Sequence, residues 1–162
     1  MKNKKMTTWG CGPKILIVTI VIAGITYLMQ YLFFPDLLIP ISQPLAFITG
    51  GIWFVLGIPI WFLGAKGISK NFMKQQLVTS GIFRHIQHPI YCAFNLFYIP
   101  ALIFMTRSWI GFIIPVIFYF VFCSNISFEE KYLEKLFGDE YLKYKNNTGR
   151  IFPKLKLYWR RV

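Results

Sequence analysis

The sequence predicts an all-α membrane protein with four transmembrane helices followed by an amphipathic, helical C-terminal tail. Hydrophobic side chains make up 56% of its 162 residues and charged side chains only 15%, and the mean hydropathy is +0.51. Soluble domains are much more polar than this, and one helical crossing of a bilayer needs about 20 mostly apolar residues. The length therefore fits about four crossings in one integral membrane domain over residues 1–162.

Four apolar runs define the elements in chain order. We expect transmembrane spans at about residues 15–34, 42–65, 89–105 and 109–128, and a tail over residues 129–162. The first run has the length of a span and no cleavage site of small residues follows it, so we expect an uncleaved span rather than a signal peptide. The turn at Thr106, Arg107 and Ser108 is so short that the last two spans are predicted to be antiparallel neighbours.

Glycines recur along the second span at Gly50, Gly57 and Gly64. An interval of seven residues is close to two helical turns, so these glycines share one flat face that another helix can approach closely. This face would also allow a homodimer. The alternative is that the glycines reflect only the general abundance of glycine in membrane helices.

The tail changes character after Ser127, because charges appear on most helical turns. Apolar side chains recur at helical spacing up to Phe137, and Gly138 suits a helix end. Asp139 is predicted to cap a second short helix that carries Tyr141 and Tyr144. We expect this basic, amphipathic tail to lie on a membrane surface rich in anionic lipid.

The positive charges predict the topology. With four spans, the N-terminal segment carries four Lys, the 66–84 segment four Lys and Arg, and the tail nine, while only Arg107 falls on the other side. The positive-inside rule then places both termini and the 66–88 loop in the cytoplasm, which for a prokaryote means the cytoplasmic membrane. The net charge of +12 is thus explained by topology, and no nucleic-acid partner is expected.

Polar residues gather where the third span begins. Pro89 suits the first position of a helix, so His88 is its expected cap, with Arg84 just outside the helix. The free N–H groups at such a helix start favour a carboxylate or a phosphate. Tyr91 and Asn95 lie four residues apart, so they extend one polar face into the membrane.

A second polar cluster follows the fourth span, at the same expected depth. Glu129 and Glu130 are costly there unless they are paired, and Arg84 or His88 are the expected partners. Alternatively, these two carboxylates are interfacial charges that pair with nearby lysines of the tail, Lys131 or Lys135. Two polar clusters at one depth in so apolar a chain favour a ligand site.

Other chemistries receive little support from the residues. His85 and His88 have no third ligand nearby, so no metal site is predicted. Cys11, Cys92 and Cys123 show neither metal-ligand spacing nor an even count, which argues against a disulfide framework. The sequence contains no nucleophile elbow and no phosphate loop after a strand.

Two blocks of residues carry a resemblance to a known family. The first is TSGIFRHIQHPIY at residues 79–91, the second is EEKYLEKLFGDEYLKY at residues 129–144, and RIFP follows at 150–153. Together they resemble the isoprenylcysteine carboxyl methyltransferase superfamily, which also includes phospholipid N-methyltransferases. The resemblance covers about half of the chain, from Thr79 to Pro153.

The resemblance implies a helical membrane enzyme that uses S-adenosylmethionine to methylate a lipid-like or prenylated acceptor, such as an isoprenylcysteine carboxylate. It also implies a cofactor pocket at the cytoplasmic interface between the third span, the fourth span and the tail. The candidate catalytic residues are Arg84, Glu130 and Arg150. The candidate cofactor-binding residues are Gly81, His88, Pro89, Tyr91, Asn95, Glu129 and Glu130.

The sequence departs from the family pattern at two positions. Gln87 stands where that family usually has Arg, and Phe83 where it usually has Tyr. The family Arg is suited to orient an anionic acceptor, and a neutral amide does this poorly, which leaves an amine, a thiol or a lipid head group as other acceptors. The His-Pro-x-Tyr block also resembles NADPH-dependent sterol reductases, and a non-enzymatic membrane scaffold is the remaining alternative.

Overall fold

The structure is a computed structural model that describes residues 11–72 and 76–154. Four of its helical segments are long and apolar enough to cross a membrane: Gly12–Phe33, Gln43–Ser69, Pro89–Thr106 and Ile110–Phe137. The helices are α1 (Gly12–Phe33), α2 (Gln43–Phe72), α3 (Pro89–Ala93), α4 (Ile99–Thr106), α5 (Ile113–Phe137) and α6 (Asp139–Asn147). The predicted all-α polytopic membrane fold is confirmed, and the position of the tail on a membrane surface stays a prediction.

Short loops mark the two ends of the bundle. At one end, the N–H of Ile39, after α1, donates to the carbonyl of Arg107 at 2.7 Å, and Nε of Arg107 donates to the carbonyl of Ile39 at 3.1 Å. At the other end, the N–H of Gln87 donates to the carbonyl of Gly149 at 2.8 Å. The loops after the first and third spans therefore share one end, as four crossings require. The side of the membrane that each end faces stays a prediction.

The glycine face of α2 packs against the third span of the same chain. A Cβ atom at Gly50 would lie 2.5 Å from Cγ of Met105, and one at Gly57 would lie 2.7 Å from the ring of Tyr98. At Gly64 the same atom would lie 2.9 Å from the ring of Pro89. Glycine allows this close approach, but the face is filled from within the chain. The packing of this face therefore gives no support to the predicted homodimer.

The first span packs against α5 on the other side of the bundle. Their shared core contains Ile15, Phe118, Phe122 and Ile126, which are all at most 3% exposed. Large apolar side chains on the outer faces of the long helices are exposed, as expected for surfaces that face lipid.

The third span is not one regular helix. Its central turn, Phe94–Tyr98, is a π-helix between α3 and α4. Pro100, two residues after this turn, has no N–H to offer the carbonyl of Leu96, so the regular hydrogen-bond pattern cannot continue across this point. Asn95 lies on this turn and is only 5% exposed.

The fourth helix extends nine residues beyond the predicted end of its span. The helix α5 continues to Phe137, as the helical spacing of the apolar residues predicts, and carries Glu129 and Glu130 within it. The end of the membrane span at about residue 128 stays a prediction. The helix ends at Gly138, as predicted, where φ is +54°. Gly138 also caps α6, so Asp139 lies in the first turn of α6 and is not the predicted cap.

Candidate functional site

A buried carboxylate forms the centre of the site. Glu130 is 2% exposed on the inner face of α5. Arg150 contacts both of its oxygens, with Nε 2.6 Å from Oε1 and Nη2 2.8 Å from Oε2. Lys145 Nζ lies 2.9 Å from Oε2. A carboxylate held between two cations in this way stays ionised and has a fixed orientation.

Local chain geometry brings these residues together. After α5 the chain reverses at Gly138, and α6 carries Lys145 back beside Glu130. The segment after α6 then pairs with the start of the third span, since the N–H of His88 donates to the carbonyl of Arg150 at 2.9 Å. The chain reversal at Gly138 thus positions Lys145, and the hydrogen bond from His88 positions Arg150.

His88 lies beside this ion cluster and is 7% exposed. Its ring contacts the rings of Tyr91 and Phe122, with centroids 5.9 and 5.5 Å away. Burial lowers the pKa of His88 to about 4; the negative charge of Glu130 opposes this shift and the positive charge of Arg150 adds to it. The imidazole is therefore neutral at pH 7. Its Nε2 has no hydrogen-bond partner within the described ranges 11–72 and 76–154.

Glu129 contacts the start of α1 instead of the cations. The Cys11 thiol donates to Oε2 of Glu129 at 3.3 Å, and Sγ also lies 3.4 Å from the hydroxyl of Tyr91. Burial raises the pKa of the Cys11 thiol to about 11, although the hydrogen bond with Tyr91 opposes the shift. The thiol therefore keeps its proton at neutral pH and can serve as the donor to Glu129.

Gln87 has a structural role. Its Nε2 donates to the main-chain carbonyls of Thr148 at 2.5 Å and Lys145 at 3.2 Å. These carbonyls belong to the end of α6 and the residue after it, where no helical N–H is left to bind them. Both amide hydrogens of Gln87 are thus used within the protein, and neither is free for an acceptor.

The structure brings five of the candidate residues to one end of the bundle: His88, Tyr91, Glu129, Glu130 and Arg150. Four others lie elsewhere. Pro89 packs against Gly64, and Asn95 lies one turn deeper in the third span. Gly81 and Arg84 are exposed on the 3₁₀ turn Gly81–Arg84.

The predicted ion pairs of the acidic residues are corrected by the structure. Glu130 pairs with Arg150 and Lys145, not with Arg84, His88 or the lysines nearest in sequence. Sequence reasoning also missed Cys11. Its contact with Glu129 joins residues 118 positions apart, and nothing in the local pattern around either residue indicates it.

The fold and the site together define a class of protein: an all-helical membrane protein with a buried ionic site where its third and fourth spans converge. A family model described as phospholipid methyltransferase matches residues 41–140, which is more than half of the chain. The chain belongs to this family.

Known proteins with similar sequences are methyltransferases. The chain is 29% identical over 77 residues to protein-S-isoprenylcysteine O-methyltransferase A of Arabidopsis thaliana, over 48% of this chain and 39% of that protein. It is also 29% identical over 85 residues to protein-S-isoprenylcysteine O-methyltransferase of Schizosaccharomyces pombe, over 52% of this chain and 36% of that protein. Methanethiol S-methyltransferase 1 of Bradyrhizobium diazoefficiens is 29% identical over 94 residues, which cover 58% of this chain and 30% of that protein.

The matched region therefore spans less than half the length of each of these relatives. No solved structure matches the chain.

Proposed function

We propose that this protein transfers a methyl group from S-adenosylmethionine to a hydrophobic acceptor that enters from the membrane. The observation that carries the proposal is the buried carboxylate of Glu130, paired with the partly exposed Arg150 beside a neutral His88, in a chain of the phospholipid methyltransferase family. A carboxylate is costly to bury, so a role in binding a polar ligand accounts for its presence.

The residues present fit this cofactor. Its amino group and ribose hydroxyls are donors that carboxylates such as Glu129 and Glu130 can accept from. Two buried polar atoms, Nε2 of His88 in the site and Oδ1 of Asn95 one turn deeper in the third span, have no partner among the residues that the structure describes. Buried polar atoms usually have one, and a bound polar ligand would supply it.

The cofactor supplies an activated methyl group on its sulfonium sulfur, so the protein has to bind, orient and exclude water. Arg150 fixes the orientation of Glu130, and Cys11 donates to Glu129. The aromatic rings of Tyr91 and Phe122 lie 5.1 Å apart and border His88, which keeps this side of the site apolar.

We further propose a prenylated carboxylate, of the isoprenylcysteine type, as the first acceptor to test. Two of the relatives described above are named for this substrate. Because Gln87 uses its amide within the protein, the cation that binds the acceptor carboxylate has to come from elsewhere. Arg150 fits this role, since Glu130 occupies only part of its five N–H groups.

A thermal stability assay tests the cofactor. In detergent, S-adenosylhomocysteine should raise the melting temperature of the purified protein, and NADPH should not. His88→Ala and Glu130→Ala should lose the shift, while Lys143→Ala, an exposed change on α6, should keep it. Shifts of equal size in His88→Ala, Glu130→Ala and the parent protein would rule out this pocket.

A transfer assay then tests the acceptor. Radiolabelled S-adenosylmethionine and N-acetyl-S-farnesylcysteine should give a base-labile methyl ester. If a methylated product forms only with a farnesyl thiol or a farnesyl amine, the proposed methyl transfer stands and the proposed carboxylate acceptor is wrong.

A further inference from the structure

A basic groove lies beside the proposed site, between the 3₁₀ turn Gly81–Arg84 and the end of α6. It has a volume of about 480 Å³, and its lining includes Arg84, His85, Tyr144 and Lys154. None of its eight lining residues is acidic. Among the described residues, the groove therefore presents positive charge and hydrogen-bond donors and no carboxylate.

Among the described residues that line this groove, Arg84 is a cation without a protein partner. Its side chain is exposed, and within the described ranges it forms no ion pair and no hydrogen bond. A guanidinium group binds phosphate through two parallel N–H groups, and this geometry matches two phosphate oxygens better than the single ammonium nitrogen of a lysine does. Arg84 is thus available to an outside anion, whereas Arg150 is already held by Glu130.

The end of α6 would normally repel an anion, because its last carbonyls carry partial negative charge. Here side chains occupy three of the carbonyls at this end. Lys154 Nζ donates to the carbonyls of Asn146 at 2.6 Å and Lys145 at 3.3 Å, and Gln87 binds the carbonyls of Lys145 and Thr148. Lys154 therefore both neutralises the helix end and places its ammonium group at the rim of the groove.

The groove is distinct from the proposed cofactor site. Among the described residues, its lining includes neither Glu130 nor His88 nor Arg150. Gln87 connects the two, because its amide contacts Thr148 of the groove lining and Lys145, which pairs with Glu130. One chain thus presents two polar sites of different character, a cluster in which carboxylates and cations are paired and a groove lined by cations without a carboxylate among its described residues.

The position of the groove fits a group at the membrane surface. The third candidate span begins at Pro89, five residues after Arg84, and the fourth ends at Phe137, so the groove lies at the end of the bundle where these two candidate spans begin and end. Phosphates of lipid head groups lie at this depth.

We propose that this groove binds a phosphate group, from a lipid head group or from solution, through Arg84 and Lys154. The site is separate from methyl transfer and would anchor the 3₁₀ turn and the end of α6 to an anion at the interface.

A binding titration in neutral detergent tests this proposal. The parent protein should bind dioctanoyl phosphatidic acid and should not bind dioctanoylglycerol, which has the same chains and no phosphate. Arg84→Gln and Lys154→Gln should each weaken binding of phosphatidic acid about fivefold to tenfold, the loss of one charge-assisted contact. Lys143→Gln removes the same charge from α6 outside the groove and should change the affinity less than twofold.

A second titration with sodium phosphate distinguishes the source of the phosphate. Binding that falls in the same two variants supports a site that also takes free phosphate, and binding of phosphatidic acid alone supports a lipid head group. Equal affinity for phosphatidic acid in Arg84→Gln and the parent, or an equal loss in Lys143→Gln, would overturn the site. If Arg84→Gln lost as much affinity for S-adenosylhomocysteine as for phosphatidic acid, the groove would belong to the cofactor site, and the proposal of a separate phosphate site would also be overturned.

Discussion

Arg150 binds both carboxylate oxygens of Glu130, with Nε 2.6 Å from Oε1 and Nη2 2.8 Å from Oε2. The carbonyl of Arg150 also accepts the N–H of His88. Arg150, in the segment after α6, therefore contacts both Glu130 of α5 and His88, the residue before the third span. This double contact makes the tail a structural part of the site.

Arg150→Lys should weaken the fold at this point. A lysine keeps the charge but offers a single nitrogen, so it cannot contact both oxygens of Glu130 at once. We expect a loss of about 1–2 kcal/mol in stability, seen as a lower melting temperature in detergent. Lys143→Arg is the matched control on the exposed face of α6. A parent-like melting temperature for Arg150→Lys would mean that the charge alone matters.

His88 should make the stability depend on pH. Its pKa is 6.5 when unperturbed and about 4 in the folded protein because of burial. Between these values the unfolded state binds more protons, so stability should fall as pH decreases from about 6.5 to 4, by about 3 kcal/mol in total.

A His88→Gln variant should lose most of this slope in melting curves recorded from pH 7 to pH 4. The exposed His85→Gln variant should retain it. A steep slope that persists in His88→Gln would assign the acid sensitivity to other groups.

Two adjacent glycines of α2 should respond differently to substitution. A Cβ at Gly50 would meet Cγ of Met105 at 2.5 Å and the carbonyl of Ala101 at 2.6 Å, whereas one at Gly51 would meet nothing within 4 Å. Gly50→Ala should therefore cost about 1–3 kcal/mol through forced separation of the helices, and Gly51→Ala should be neutral or slightly stabilising. Melting temperatures of the two variants give the comparison, and a neutral Gly50→Ala would contradict the packing described for this face.

Cys11 should be a slow nucleophile. Burial and its neighbours raise the pKa of its thiol from 9.0 to about 11, and only the thiolate reacts with iodoacetamide. In a variant that retains Cys11 alone, with Cys92 and Cys123 replaced by serine, alkylation at pH 8 should be about 100-fold slower than for an unperturbed thiol. The rate should rise about tenfold per pH unit up to pH 10. A plateau near pH 9 would show that Glu129 and burial do not act on this thiol.

Gln87→Glu should destabilise the end of α6. The substitution replaces a donor by a negative acceptor that faces the carbonyls of Lys145 and Thr148. An unpaired buried group of this kind costs about 1–3 kcal/mol or more. Gln76→Glu, the same change at an exposed position, is the control. Equal melting temperatures for the two variants would show that the contacts of Gln87 contribute nothing.

The sequence by itself determined the number of spans, their order and the end of the bundle at which polar residues collect. These follow from hydropathy, helical length and the His-Pro-x-Tyr and Glu-Glu blocks, because each is a local property of the chain. The sequence also predicted the helix end at Gly138, since only a residue without a Cβ adopts its positive φ easily.

Only the tertiary structure decided which charged groups pair. Arg150 and Lys145 were visible as charges of a basic tail, yet their contact with Glu130 depends on the reversal at Gly138 and on main-chain pairing with residues 87 and 88. The contact of Cys11 with Glu129 and the use of the glycine face by the third span likewise join distant segments. Helical periodicity fixes which face a residue occupies but not which helix comes to lie against that face, so partners of this kind are set by packing.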